Sequence, residues 1–157
     1  MKIKLLYIGK EDAGVFHEAI RQYVEKLSHY IDFMMENIPY RKNSGKSLTV
    51  EQQKIKEGKL FLKRLAPSDF VVLLDERGRE YSSPGFAQLI IQKQLNGTKN
   101  LVFVIGGAFG FSDEVYRRQN DKIALSKLTF PHIMTRLLFA EQLYRAFSIL
   151  NNEPYHH

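Results

Sequence analysis

Four stretches of the chain combine residue types at spacings that could do chemistry. The first, Tyr40-Arg41-Lys42-Asn43-Ser44-Gly45-Lys46-Ser47, ends like a phosphate-binding loop, and Leu73-Leu74-Asp75-Glu76 resembles a strand-end acid that holds magnesium. A phosphate loop opens on glycine, however, and here Tyr40 stands in that place. The stretch also runs past Ser47 before any helix-capping residue, too far for a helix N-terminus to meet a phosphate. It reads as a basic loop whose Arg41, Lys42 and Lys46 can touch an RNA backbone.

The second stretch is Val104-Ile105-Gly106-Gly107-Ala108-Phe109-Gly110. Glycine just after a buried strand lets a ligand or another backbone come close, and ligands of open α/β sheets sit beyond the carboxyl ends of the strands. Leu74 and Gly106 both fall at such ends. The glycine spacing does not fit a dinucleotide site, and no acid ends the following strand. A ligand site and a structural glycine turn both remain open on this motif alone.

Third comes Ala124-Leu125-Ser126-Lys127-Leu128-Thr129-Phe130-Pro131-His132, an irregular connection leading to Arg136, Glu141, Tyr144 and Arg145. Its free amides and carbonyls could bond the edge of an adenine; an ordinary connection is the plainer reading. Glu141 and Arg145 stand four apart in the favourable order, so a surface salt bridge accounts for them equally well. The fourth is the tail, Pro154-Tyr155-His156-His157. Two imidazoles without a third clustered ligand do not make a metal site, and no metal is expected. His17 and His29 lie on a helix and need no special role.

The elements that must position these residues follow from periodicity. Residues 2–9 alternate as a strand, and apolar positions at three-and-four spacing make residues 14–30 an amphipathic helix. A strand over 31–38 stops at Pro39, and Thr49 with Gln52 forms a capping box opening a helix to about Leu65. Phe70–Leu74 and Leu101–Ile105 are continuous apolar runs, as in strands buried on both faces. Between them Ser83 caps a helix with Pro84 in its first turn, ending near Asn96-Gly97. A short helix capped by Ser112, a strand at Ile123-Ala124-Leu125 and a long helix over 132–150 complete the chain. Alternating strands and helices predict an α/β fold, a mostly parallel sheet with helices on both faces.

The 157 residues fit one domain, 1–157, with neither repeat nor linker. No cysteine is present, which excludes a disulfide framework, a thiolate metal site and a cysteine nucleophile, and suits a cytoplasmic location. No apolar run approaches the ~20 residues that span a bilayer, and the opening run is too short for a signal peptide. Lys and Arg number 23 against 17 Asp and Glu, a net charge of +6 that favours a polyanionic partner.

Several blocks together are identified as those of the ribosomal RNA large-subunit methyltransferase H family, bacterial pseudouridine N3-methyltransferases of the SPOUT class. They run the length of the chain: Met1-Lys2-Ile3, Ile8-Gly9-Lys10, Leu74-Asp75-Glu76-Arg77-Gly78, Ser82-Ser83 and Phe103-Val104-Ile105-Gly106-Gly107. The most specific are Leu125-Ser126-Lys127-Leu128-Thr129-Phe130-Pro131-His132, Glu141-Gln142-Leu143-Tyr144-Arg145-Ala146 and Pro154-Tyr155-His156. Residues Ala108-Phe109 depart from the relatives, and the 40–48 loop is the least family-like region.

The resemblance implies a SPOUT α/β domain with a C-terminal trefoil knot, a homodimer, and S-adenosylmethionine as methyl donor. By position, the donor would be held by Leu74, Gly106 and the loop Leu125, Ser126, Lys127, Leu128, Thr129 and Phe130. The implied reaction is methylation of N3 of a pseudouridine in 23S ribosomal RNA. That N3 must lose a proton, which asks for a base or for stabilisation of the anion. His156 is the candidate base or positioner and Arg136 or Arg145 the anion stabiliser. Tyr155 would stack on the target base or pack against a partner subunit. Lys127 would meet RNA phosphate or face solvent, and His132 would serve the site or simply begin the helix. The modest charge points to the assembled ribosome as substrate. Two other classes stand beside this reading: a noncatalytic ribosome-binding factor of the same fold, and a degenerate phosphate-loop enzyme.

Overall fold

A computed structural model gives the architecture; it describes residues 1–9, 14–39 and 48–156, the last by its main chain. The basic loop at 40–47, Lys10 and His157 lie outside the described residues, and so does the phosphate-loop reading. Among the described residues, five strands alternate with five helices: β1 (Lys2–Ile8), α1 (Val15–Leu27), β2 (Asp32–Ile38), α2 (Val50–Leu62), β3 (Phe70–Glu80), α3 (Ser83–Leu95), β4 (Asn100–Ile105), α4 (Asp113–Arg118), β5 (Asp121–Ala124) and α5 (His132–Leu150). A 3-10 turn, Pro154–His156, closes the chain.

The strands form one sheet in the order β2-β1-β4-β3-β5, and every pairing is parallel. The expected mostly parallel sheet is therefore wholly parallel. Alternation along the strands splits the core in two. Ile3, Leu5, Val72, Leu101, Phe103 and Ile105 pack with α1, α3 and α5 on one face. Leu6, Ile8, Val71, Leu73, Val102 and Val104 pack with Phe61 of α2 and Val115 of α4 on the other. Strand order and register leave the threading implied by the resemblance outside what they show.

Local chemistry sets most boundaries. Thr49 and Gln52 make both bonds of the capping box at 3.2 and 3.0 Å. Three expectations need correction. The cap of α3 is Ser82, whose Oγ accepts from the Gly85 N–H, so Ser83 is already helical. Ser112 stands at the start of α4 without a side-chain cap bond, because it is buried against α2. Strand β5 is Asp121–Ala124, one residue short of Leu125.

Strand β3 is also longer than its apolar run. After Leu74 the register shifts, and Arg79 and Glu80 pair again with Ile123 and Ala124. The intervening residues bulge away from the ladder at the sheet's carboxyl edge.

The long helix α5 is pinned by aromatic packing. Phe139 is fully buried, its ring centroid 4.7 Å from that of Phe103 and 6.3 Å from those of Phe33 and Phe86. Phe139→Ala is expected to cost about 3–5 kcal/mol, since the rigid sheet beneath cannot close the void. Denaturant unfolding of the two proteins checks this.

Candidate active site

Parallel strands end on the same side, and register decides which of their ends adjoin. Leu74 pairs with Ile105 on β4 and with Ile123 on β5. The segment after Leu74, where the ladder breaks, and the chain leaving β4 and β5 therefore lie at one edge. A cleft of about 480 Å³ opens there. Its walls are residues 74–77, 105–111 and, after β5, Leu125, Ser126, Leu128, Thr129 and Phe130, with Lys54, Tyr116, His132 and Thr135 around them.

Seven of the eight residues expected to hold a donor line this cleft: Leu74, Gly106, Leu125, Ser126, Leu128, Thr129 and Phe130. Lys127 does not. It is turned outward, its Nζ 3.4 Å from the Glu76 carbonyl and 3.9 Å from a Glu80 carboxylate oxygen, with its side chain 64% exposed. The 125–130 stretch lies outside helix and strand, so its main chain is not used up by a ladder. Ser126 Oγ accepts from the Leu128 N–H at 3.0 Å and shapes the turn.

The glycine turn is shaped by close approach. A Cβ on Gly106 would stand 3.1 and 3.2 Å from ring atoms of Phe111, and one on Gly107 would overlap the Glu57 carboxylate. Glu57 is itself 3% exposed and accepts from Gln53 at 2.8 Å. The structural reading of the glycine motif holds, since the glycines permit the packing; the turn they make also walls the cleft.

Sequence reasoning overlooked Tyr116. Its hydroxyl donates to Asp75 across a separation of 41 residues, and Asp75 also accepts from the Arg77 N–H at 2.8 Å. The strand-end acid is thus an organiser of the cleft wall. No periodicity links a strand end to a later helix, so the only signal was Asp75 itself. Burial, then the hydrogen bond to Asp75, pushes the Tyr116 phenol up to about 12.

Of the proposed catalytic side chains, Arg136, Arg145 and Tyr155 are not among those lining this cleft. Arg136 is buried in α5, its guanidinium 4.3 Å from the ring centroid of Tyr7, which pairs with Ile105 near the same sheet edge. Arg145 and Tyr155 belong to a separate cluster between α1, α5 and the closing turn. Arg145 donates from Nε and Nη2 to one Glu141 oxygen at 2.9 and 2.7 Å, and its guanidinium lies 5.1 Å from the Tyr155 ring centroid. Tyr155 packs edge-on against Tyr144 at 4.7 Å and shares a 3.0 Å hydrogen bond with Tyr23.

The Glu141–Arg145 ion pair is half-buried, at 17% and 27% side-chain exposure, so the plain surface bridge is corrected. The bond to Glu141 raises the Arg145 guanidinium, while burial and Tyr23 raise the Tyr155 phenol. The His156 side chain lies outside what is described. His132 is both the first residue of α5 and part of the cleft wall. Among the described residues no group of three or more acidic or imidazole side chains could hold a metal, and no helix is long and apolar enough to cross a membrane.

Fold and site together define an α/β protein with a cleft at the carboxyl edge of its sheet, the place where ligands of open α/β sheets sit. A family model described as "Predicted SPOUT methyltransferase" matches residues 1–156. Three relatives cover all of this chain over 99% of their own length: 56% identical in Parabacteroides distasonis, 54% in Christiangramia forsetii and 53% in Porphyromonas gingivalis. Each is named ribosomal RNA large subunit methyltransferase H. The chain belongs to the SPOUT methyltransferase family, in its large-subunit methyltransferase H branch.

The Tyr116–Asp75 bond has a pH signature. The phenol's folded value lies above its ordinary 10, so its stabilising contribution is complete below about pH 10 and is lost as pH rises through about 12. Tyr116→Phe is expected to remove a phenolate absorbance component near 12 and to flatten the loss of stability in that window. Spectroscopic titration with parallel unfolding measurements checks both.

Proposed function

We propose that this protein methylates N3 of a pseudouridine in 23S ribosomal RNA, with S-adenosylmethionine as methyl donor and the assembled ribosome as substrate. The observation that carries the reading is the cleft at the ends of β3, β4 and β5, walled by seven of the eight expected donor-holding residues. Its volume of about 480 Å³ suits a ligand of the donor's size.

The donor supplies a methyl group already activated on a sulfonium. The chain's own residues do the rest. Leu74, Leu125 and Phe130 give an apolar wall, Gly106 leaves room beside Phe111, and the main chain of 125–130 offers partners to an adenine edge. Holding the reacting groups in line contributes roughly 7–11 kcal/mol in favourable cases. At the target, His156 takes the proton that N3 loses, and Arg136 or Arg145 stabilises the anion.

Arg145 and Tyr155 line no part of their own chain's cleft. This favours a homodimer in which one subunit's tail serves its partner's donor site. The knotted threading belongs to the same reading. The relatives' names support the substrate class, since each says large-subunit ribosomal RNA.

Labelled methyl transfer to ribosomes lacking the modification, followed by mass mapping of the RNA, tests the reaction. Label on N3 of a large-subunit pseudouridine is expected, and His156→Ala should slow it about 10²–10⁴-fold. Donor binding without transfer to any ribosomal substrate would leave a binding factor in place of the enzyme.

A further inference from the structure

Phe109 occupies an unusual position for a large apolar side chain. It is 49% exposed, yet its main chain is held on both sides. The Gly110 N–H donates to the Gly107 carbonyl at 3.0 Å, closing a tight turn with Ala108 and Phe109 at its centre. Gly110 has φ 78, a backbone region that favours glycine, and Gly107 is wedged against Glu57.

Immediately after the turn, Phe111 is buried, with ring centroids 6.2 Å from Phe61 and 5.8 Å from Tyr116. The turn is therefore anchored into the α2–α4 face while the Phe109 ring projects at the cleft. A single exposed phenylalanine means little. A second apolar side chain, Leu128, is 70% exposed on the 125–130 loop and lines the same cleft. Arg77 supplies a cation in the same wall, and so does Lys54, which is paired with Glu51 at 3.4 Å.

We infer that Phe109 is the platform on which the target nucleobase stacks, with Arg77 beside it for the RNA phosphate and the donor-side Leu128 facing the same cleft. This rests on the RNA-methyltransferase reading. An unstacked base in RNA is held by its face on an aromatic ring, with cations along the backbone. A main chain held in a tight turn keeps the Phe109 ring at the cleft, so less ordering is left to be done on binding.

The test is steady-state methyl transfer to unmodified ribosomes, with donor affinity measured separately by calorimetry, for Phe109→Ala, Phe109→Leu and Phe109→Tyr. The Ala and Leu variants are expected to lose about tenfold or more in kcat/KM for the ribosome while keeping donor affinity and melting temperature. Tyr should restore the rate. Three results would overturn the inference: Ala and Leu variants with undiminished kcat/KM, a loss of donor affinity matching the loss of rate, or failure of Tyr to restore it. Absence of transfer by the unaltered protein would instead strike at the methyltransferase reading itself.

Discussion

The parallel register at Leu74 is the constraint on which the rest depends. One residue is neighbour to Ile105 on one side and to Ile123 on the other, so the register break after Leu74 and the ends of β4 and β5 lie at the same level. A shift of one residue in either ladder would turn the apolar sets of β3 to the wrong faces. Val72 would leave the α1–α3–α5 core, and Val71 and Leu73 would leave the α2–α4 core. Two buried cores thus enforce the register, and the register assembles the cleft.

The two faces of the sheet carry different duties. On the α2–α4 side, packing against the carboxyl edge shapes the ligand wall: Glu57 bounds Gly107, Phe111 bounds Gly106, and Tyr116 ties down Asp75. On the α1–α5 side, tyrosines and one ion pair make a polar-aromatic cluster that holds the closing turn. Tyr30 donates to Glu153 at 2.6 Å, and Glu141 accepts from both Arg145 and Tyr155. That cluster is stiffly organised, because each charge in it has a hydrogen-bonded counterpart. It presents the tail beside α1 and away from its own chain's cleft.

Much of the fold was legible because its signals are local. Continuous apolar runs mark β4 and the first half of β3, and the Thr49–Gln52 pair marks the start of α2. The candidate donor-holding residues stand on a resemblance; from the residues alone, Gly106 and the 125–130 connection each keep a plain structural reading. What stayed hidden depends on distant partners. The polar tail of β3 becomes strand only because Arg79 and Glu80 find β5. Ser112 has the type of a cap but is buried beside Gly58. Asp75 and Tyr116 meet through topology, and the exposure of Phe109 depends on how its turn is anchored, which its residue type does not express.

Hydrogen exchange of the chain with and without S-adenosylmethionine tests the central claim most directly, because it reads every loop at once. The account predicts slowed exchange on donor addition in three separated stretches, 74–77, 105–111 and 125–130. Slowing confined to α1, α5 and the closing turn, or no change at saturating donor, would contradict it.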